Sequence, residues 1–201
     1  MILYHVPASP YARMVRVALA ERGLAGRVRE VEVTLRDPDS ALLPHNPVGR
    51  VPTLQLEDGT ALSETLLILP YLDRLHAGER IMPEAPARLA ALGTAIGFLD
   101  GIAVWNRALR PPPNERSPAV LAVEEARANR VADALDRAAA AGSYDGALDA
   151  AALALACALG YCERRHTFWR WRQGRPALAA WFERTTARPS FQATIPPPGG
   201  V

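Results

Sequence analysis

The sequence predicts an α/β half followed by an all-α half, on three observations. Short strand-like patterns, β-branched or alternating with period two, occur only before residue 63. From residue 87 onward every apolar pattern has helical spacing. Between them, residues 77–87 carry Gly78, Pro83 and Pro86 and read as a linker. The expected division is an α/β domain over 1–77, a linker over 78–86 and a helical domain over 87–201.

Residues 2–6 are partly β-branched and aromatic, and end at Pro7, which suits a buried first strand. Ser9-Pro10 reads as a helix start, because Ser is a favoured N-cap and Pro is preorganised for the first helical position. Met14, Val15, Ala18 and Leu19 form the buried stripe of that helix, which stops at Gly23. Residues 30–35 alternate Glu30, Glu32 and Thr34 against Val31, Val33 and Leu35, the pattern of a half-exposed strand. Pro38, Pro44 and Pro47 leave room for at most a short helix over 36–49.

Pro52 stands where the chain enters the next strand and has no N–H for a ladder bond, so Val51-Pro52 reads as a turn. A cis bond there would let the Val51 backbone pair with an extended peptide. Leu54 and Leu56 point inward on a strand, Asp58-Gly59 turns, and residues 61–62 return as a hairpin. Ser63 is the expected cap of a helix running to about Leu75, kinked at Pro70.

In the second half, Leu89, Leu92, Ile96, Leu99 and Ala103 mark a helix over 87–110 that ends at Pro111-Pro112-Pro113. Ser117-Pro118 opens another, which runs toward Gly142. Asp149 caps residues 150–161, apolar on all sides and so the expected central helix. Residues 176–187 form the last helix, with Leu178, Trp181 and Phe182 on one side, and the tail from Pro196 is expected on the surface.

Composition bounds the function. In 201 residues, 49% are hydrophobic, ample for a core. With 23 basic residues, all Arg, against 21 acidic ones, the net charge of +2 draws neither nucleic acid nor an anionic membrane. Arg164, Arg165, Arg170, Arg172 and Arg175 interleave with Trp169 and Trp171, a nucleic-acid-like pattern that reads instead as structural. Cys157 and Cys162 lie five apart in one helix, out of register for a disulfide and without a His at metal spacing, so no metal is expected. No basic leader precedes the first strand and no apolar run reaches membrane length, which leads to the expectation of a soluble cytoplasmic protein.

Ser9-Pro10, Asn46-Pro47-Val48-Gly49-Arg50-Val51-Pro52-Thr53-Leu54 and Ser63-Glu64-Thr65, in this order ahead of an all-helical half, resemble the cytosolic glutathione S-transferases over nearly the whole chain. In the second half, residues 156–161, Arg175-Pro176 with Trp181, and Arg188-Pro189-Ser190-Phe191 look like a small bacterial branch of serine type. The resemblance implies a thioredoxin-like domain (βαβαββα) that binds glutathione, followed by a helical bundle that supplies the pocket for a hydrophobic electrophile, in a homodimer. It raises the expectation of a cis bond at Val51-Pro52. It also implies site roles. Ser9 donates to the thiol of glutathione, Val51 and Pro52 hold its cysteinyl backbone, and Arg50 reaches its glycine carboxylate. Glu64 and Thr65 take its γ-glutamyl end.

Ser9-Pro10-Tyr11-Ala12 is similar to the Cys-Pro-Tyr-Cys turn of glutaredoxins with both sulfurs replaced, so dithiol chemistry is excluded there. What remains is a hydroxyl at the positive end of a helix. A free thiol near pKa 8.5 is mostly protonated at neutral pH. Lowering that by about two pH units is worth roughly 2.7 kcal/mol. On local pattern alone Ser9 is an N-cap, Glu64 a first-turn acid facing a helix dipole, and Arg50 a solvated charge. His45, Arg13, Tyr11 and Trp105 are further candidates, each with a structural alternative. The family usually follows its helical-half cap with an Asp three residues on; here Ala152 follows Asp149, and the reciprocal capping box is lost. The alternatives to conjugation are a non-catalytic glutathione-binding or interaction protein, and a glutathione-dependent isomerase or dehalogenase.

Overall fold

The computed structural model of the protein describes residues 1–196. The first unit comprises Met1–Pro83 and the segment that begins at Pro189; the second is Glu84–Arg188. The first unit extends beyond residue 77 because the Asp73 carboxylate accepts from the amides of Ile81 and Met82, at 2.8 and 2.9 Å, and so folds the expected linker back.

The first unit holds β1 (Ile2–His5), α1 (Pro10–Glu21), β2 (Arg29–Glu32), β3 (Thr53–Gln55), β4 (Ala61–Ser63) and α2 (Thr65–Arg74). The sheet order is β2-β1-β3-β4. β1 runs parallel to β2 with Ile2 opposite Arg29 and His5 opposite Glu32, and antiparallel to β3 with Tyr4 opposite Thr53. β3 and β4 close the hairpin, with Thr53 opposite Ser63.

β2 starts and ends earlier than its alternation suggested, because β1 offers only four residues before Pro7; Val33 is still buried, whereas Leu35 is 48% exposed. Between β2 and β3 the chain makes turns over 41–45 and no helix, as its three prolines dictate. Ser63 does not cap α2: it is the last residue of β4, and Glu64 takes the N-cap position.

The second unit contains α3 (Pro86–Ala108), α4 (Pro118–Ala140), α5 (Ala150–Arg165) and α6 (Pro176–Thr186). α5 is its core: twelve of its residues, from Ala150 to Cys162, are buried, and it packs on α3. α3 is long and apolar enough to cross a membrane by length and composition alone, contrary to the expectation that no run reaches that length. Here its apolar side is spent on protein, burying Leu92, Ala95, Phe98, Leu99 and Ile102. Cys157 and Cys162 are both buried and neither is in a disulfide, and burial pushes the Cys162 thiol well above its ordinary value.

α7 (Pro189–Gln192) was not foreseen and belongs to the first unit. The buried Arg13 of α1 donates from Nη2 to the Phe191 carbonyl at 3.0 Å and from Nε to Thr194 Oγ1 at 3.5 Å, while Ser190 Oγ bonds Glu21 at the other end of α1. Pro196, expected at the surface, is buried; the rest of the Pro-rich tail lies outside the described residues.

Candidate functional site

Strand direction alone assembles the site. β1 and β4 both run antiparallel to β3, so the end of β1, the start of β3 and the end of β4 lie at one end of the sheet. The chain leaving β1 reaches Ser9, the chain entering β3 carries Arg50, Val51 and Pro52, and the chain leaving β4 carries Glu64 and Thr65. Three segments far apart in sequence therefore meet at one edge.

Ser9 is the N-cap of α1, and its Oγ accepts from the Ala12 amide at 3.2 Å. That bond uses a lone pair and leaves the hydroxyl proton free to be donated elsewhere, so capping and donation to a ligand are compatible. The Val51-Pro52 bond is cis, as the resemblance suggested. Pro52 is buried, Val51 half-buried and Arg50 exposed. The Val51 side chain packs on a cluster of Tyr4, Val33 and Leu42.

Glu64 is exposed and has φ +70°, unlike any other non-glycine among the described residues. Its side chain makes no capping bond, and the backbone bonds of α2 begin with the amides of Leu67 and Ile68 donating to the Glu64 carbonyl, each at 3.0 Å. The Thr65 and Leu66 amides ahead of them are the orphan donors of a helix N-terminus, suited to an anion. Thr65 is buried, and its hydroxyl donates to the Tyr11 carbonyl at 3.2 Å. The hydroxyl expected to donate to a carboxylate is thus engaged, and the two amides are the donors that remain at this helix end. The same bond ties the start of α2 to the first turn of α1, beside Ser9.

The sequence pattern assigns Asn46 no role. It is 5% exposed and bonds on both sides of the Val51-Pro52 turn, from Nδ2 to the Arg50 carbonyl at 3.1 Å and to Thr53 Oγ1 at 2.9 Å. Asn46 Oδ1 also accepts from the Val48 amide at 3.0 Å, an Asx turn, and an Asn in a loop ahead of such a turn is the signal that could have flagged it.

The remaining candidates have structural partners. His45 stacks on Tyr4 with centroids 5.0 Å apart, and its Nδ1 meets Gln55 Nε2 at 3.1 Å. Arg13 holds the C-terminal segment. Trp105 is 2% exposed and stacks 4.8 Å from His166, a core aromatic of the second unit. Of the C-terminal arginines, Arg172 pairs with Glu163 and Glu183, and Arg175 with Asp133, Trp171 and Asn129. No group of three or more His, Cys, Asp or Glu among the described residues could hold a metal ion.

A thioredoxin-like domain with a cis-proline loop and two helix N-termini at one sheet edge, joined to a helical domain, is the class of protein this fold defines. The family model for the N-terminal domain of glutathione S-transferases matches residues 3–80, and that for the C-terminal domain matches residues 118–184. The chain belongs to the glutathione S-transferase family. A glutathione transferase family member from Pseudomonas fluorescens Pf-5, crystallised with bound glutathione, superposes with a TM-score of 0.88 at 36% identity, covering 98% of each chain. YibF, an uncharacterised glutathione S-transferase-like protein of Escherichia coli K12, is 27% identical over 94% of this chain and 95% of its own. A probable maleylacetoacetate isomerase of Caenorhabditis elegans is 30% identical over 44% of this chain and 41% of its own.

Proposed function

We propose that this protein is a glutathione transferase that holds glutathione as its thiolate and directs it at an electrophilic carbon of a hydrophobic small molecule. The observation that carries the reading is the convergence of Ser9, Val51-Pro52 and Glu64-Thr65 at one end of the sheet. The Glu64 carboxylate accepts from the ammonium of the γ-glutamyl end, and the Thr65 and Leu66 amides bind its carboxylate. The Val51 backbone pairs with the cysteinyl unit, and Arg50 meets the glycine carboxylate. Ser9 then donates a hydrogen bond to the sulfur at the positive end of α1, which favours the thiolate, and the thiol proton leaves to solvent. Attack by that thiolate forms the carbon–sulfur bond and expels the leaving group of the electrophile. A cytoplasmic homodimer with a detoxifying role completes the reading, and two buried cysteines outside any disulfide accord with a reducing compartment.

An ultraviolet titration of the bound thiol, beside free glutathione, tests this directly. The bound thiol is expected to ionise at clearly lower pH, and Ser9→Ala to lose most of that shift and of the turnover. Glu64→Ala is expected to weaken binding at least tenfold. Binding without a shift in ionisation would favour the non-catalytic glutathione-binding reading, and no binding would overturn both. The isomerase-like relative keeps a second reaction in view, glutathione-dependent isomerisation, which the same donor site serves. A substrate panel that includes conjugated cis-enones alongside haloaromatics separates the two.

A further inference from the structure

We infer that Asn46 and Thr53 are positioning residues that aim the Val51 amide at the ligand, an inference that rests on the glutathione reading above. Val48 N–H can only donate, so its 3.0 Å bond fixes Asn46 Oδ1 on that side and Nδ2 on the other. Nδ2 then spends one N–H on the Arg50 carbonyl, at 3.1 Å, and the other on Thr53 Oγ1, at 2.9 Å. Thr53 Oγ1 passes its own proton to the same carbonyl at 2.9 Å. The Arg50 carbonyl thus receives two donors, and every polar atom of the Asn46 and Thr53 side chains is used. Both residues are buried, at 5% and 0% exposure, so no water competes for these bonds.

The consequence lies in the next peptide plane. The Arg50–Val51 bond is trans, the cis bond being Val51-Pro52, and in a planar trans peptide the C=O and N–H point in opposite directions. With the Arg50 carbonyl held inward by two donors, the Val51 N–H is held outward. The Val51 side chain, anchored on the cluster of Tyr4, Val33 and Leu42, blocks rotation of the plane from the other side. None of these bonds reaches Ser9, whose Oγ accepts from the Ala12 amide, so the pair governs how tightly the cysteinyl backbone is held and not the ionisation of the sulfur.

Calorimetric affinities for glutathione, with the bound-thiol titration on the same samples, distinguish this from a general structural role. Thr53→Val removes the donor to Arg50 while keeping the buried shape, and is expected to weaken binding about fivefold. Asn46→Ala removes its bond to the Arg50 carbonyl and also the bond that orients the Thr53 hydroxyl, and is expected to weaken binding by more than tenfold. KM for glutathione rises in step, while kcat and the ionisation of the bound thiol stay at the wild-type values. A folded Thr53→Val protein with affinity within twofold of wild type overturns the inference, as does a loss that falls on kcat and thiol ionisation with affinity unchanged. Thr53→Val decides the question even where Asn46→Ala unfolds the chain. Failure of the wild-type protein to bind glutathione removes the underlying reading, and the latch with it; wild-type binding with indifferent variants removes the latch alone.

Discussion

Helices α5 and α2 treat their ends in opposite ways. At the start of α5 the Asp149 carboxylate accepts from the Ala152 amide at 3.0 Å and also receives a two-pronged ion pair from Arg88, at 2.7 and 2.8 Å. At its end His166 donates from Nε2 to the Ile102 carbonyl of α3, at 3.2 Å. The residues that open its first turn, Ala150 and Ala151, are fully buried. The start of α2 has an exposed Glu64 in a left-handed conformation, no side-chain cap, and first-turn amides unused by the helix. A helix closed by its own chain serves stability, while one left open and strained retains the donors that a ligand can use. Arg88 also orients the Asp149 cap from its carboxylate side, a different support from the reciprocal capping box, whose acid would accept from the Asp149 amide.

The largest expected effect breaks the closed end of α5 by acid. His166 is fully buried among Trp105, Tyr161 and Phe168, its Nδ1 has no partner, and burial lowers its pKa from 6.5 to about 4. The unfolded chain therefore takes up the proton first, so the contribution is whole above pH 6.5 and is lost as pH falls toward 4. The loss is about 3 kcal/mol, read as a falling urea midpoint between those values. His166→Phe should flatten that dependence; an unchanged slope would assign it to other groups.

Removing the other closure comes next. Asp149→Ala deletes a cap and strands the Arg88 guanidinium, for a loss of about 2 kcal/mol in thermal or urea unfolding. Glutathione affinity of the folded variant should stay at the wild-type value, and a parallel loss of affinity would undo the contrast between the two helices. The smallest effect sharpens the open end. Glu64→Gly relieves the positive φ and should stabilise the protein by about 1 kcal/mol while glutathione binding falls. A variant that is neither more stable nor weaker in binding would mean that the conformation at Glu64 has no bearing on the site.

Sequence by itself determined the division into α/β and helical halves and the caps Ser9, Ser117 and Asp149, because these rest on periodicity and on bonds spanning three or four residues, while the cis bond at Val51-Pro52 followed from the resemblance of the whole motif. It also brought forward Ser9, Val51, Glu64 and Thr65, since a motif in register carries more information than any one residue. Tertiary structure alone decided the rest. Strand pairing set where β2 ends and turned Ser63 from a cap into a strand residue. Arg13 and Phe191 lie 178 positions apart, and Arg88 and Asp149 lie 61 apart. No local pattern encodes such pairs, because a charged side chain finds its partner only after chain segments pack. The hydroxyl of Thr65 shows the same limit: its residue type was legible, but which oxygen it would serve depended on where the carbonyl of Tyr11 came to rest.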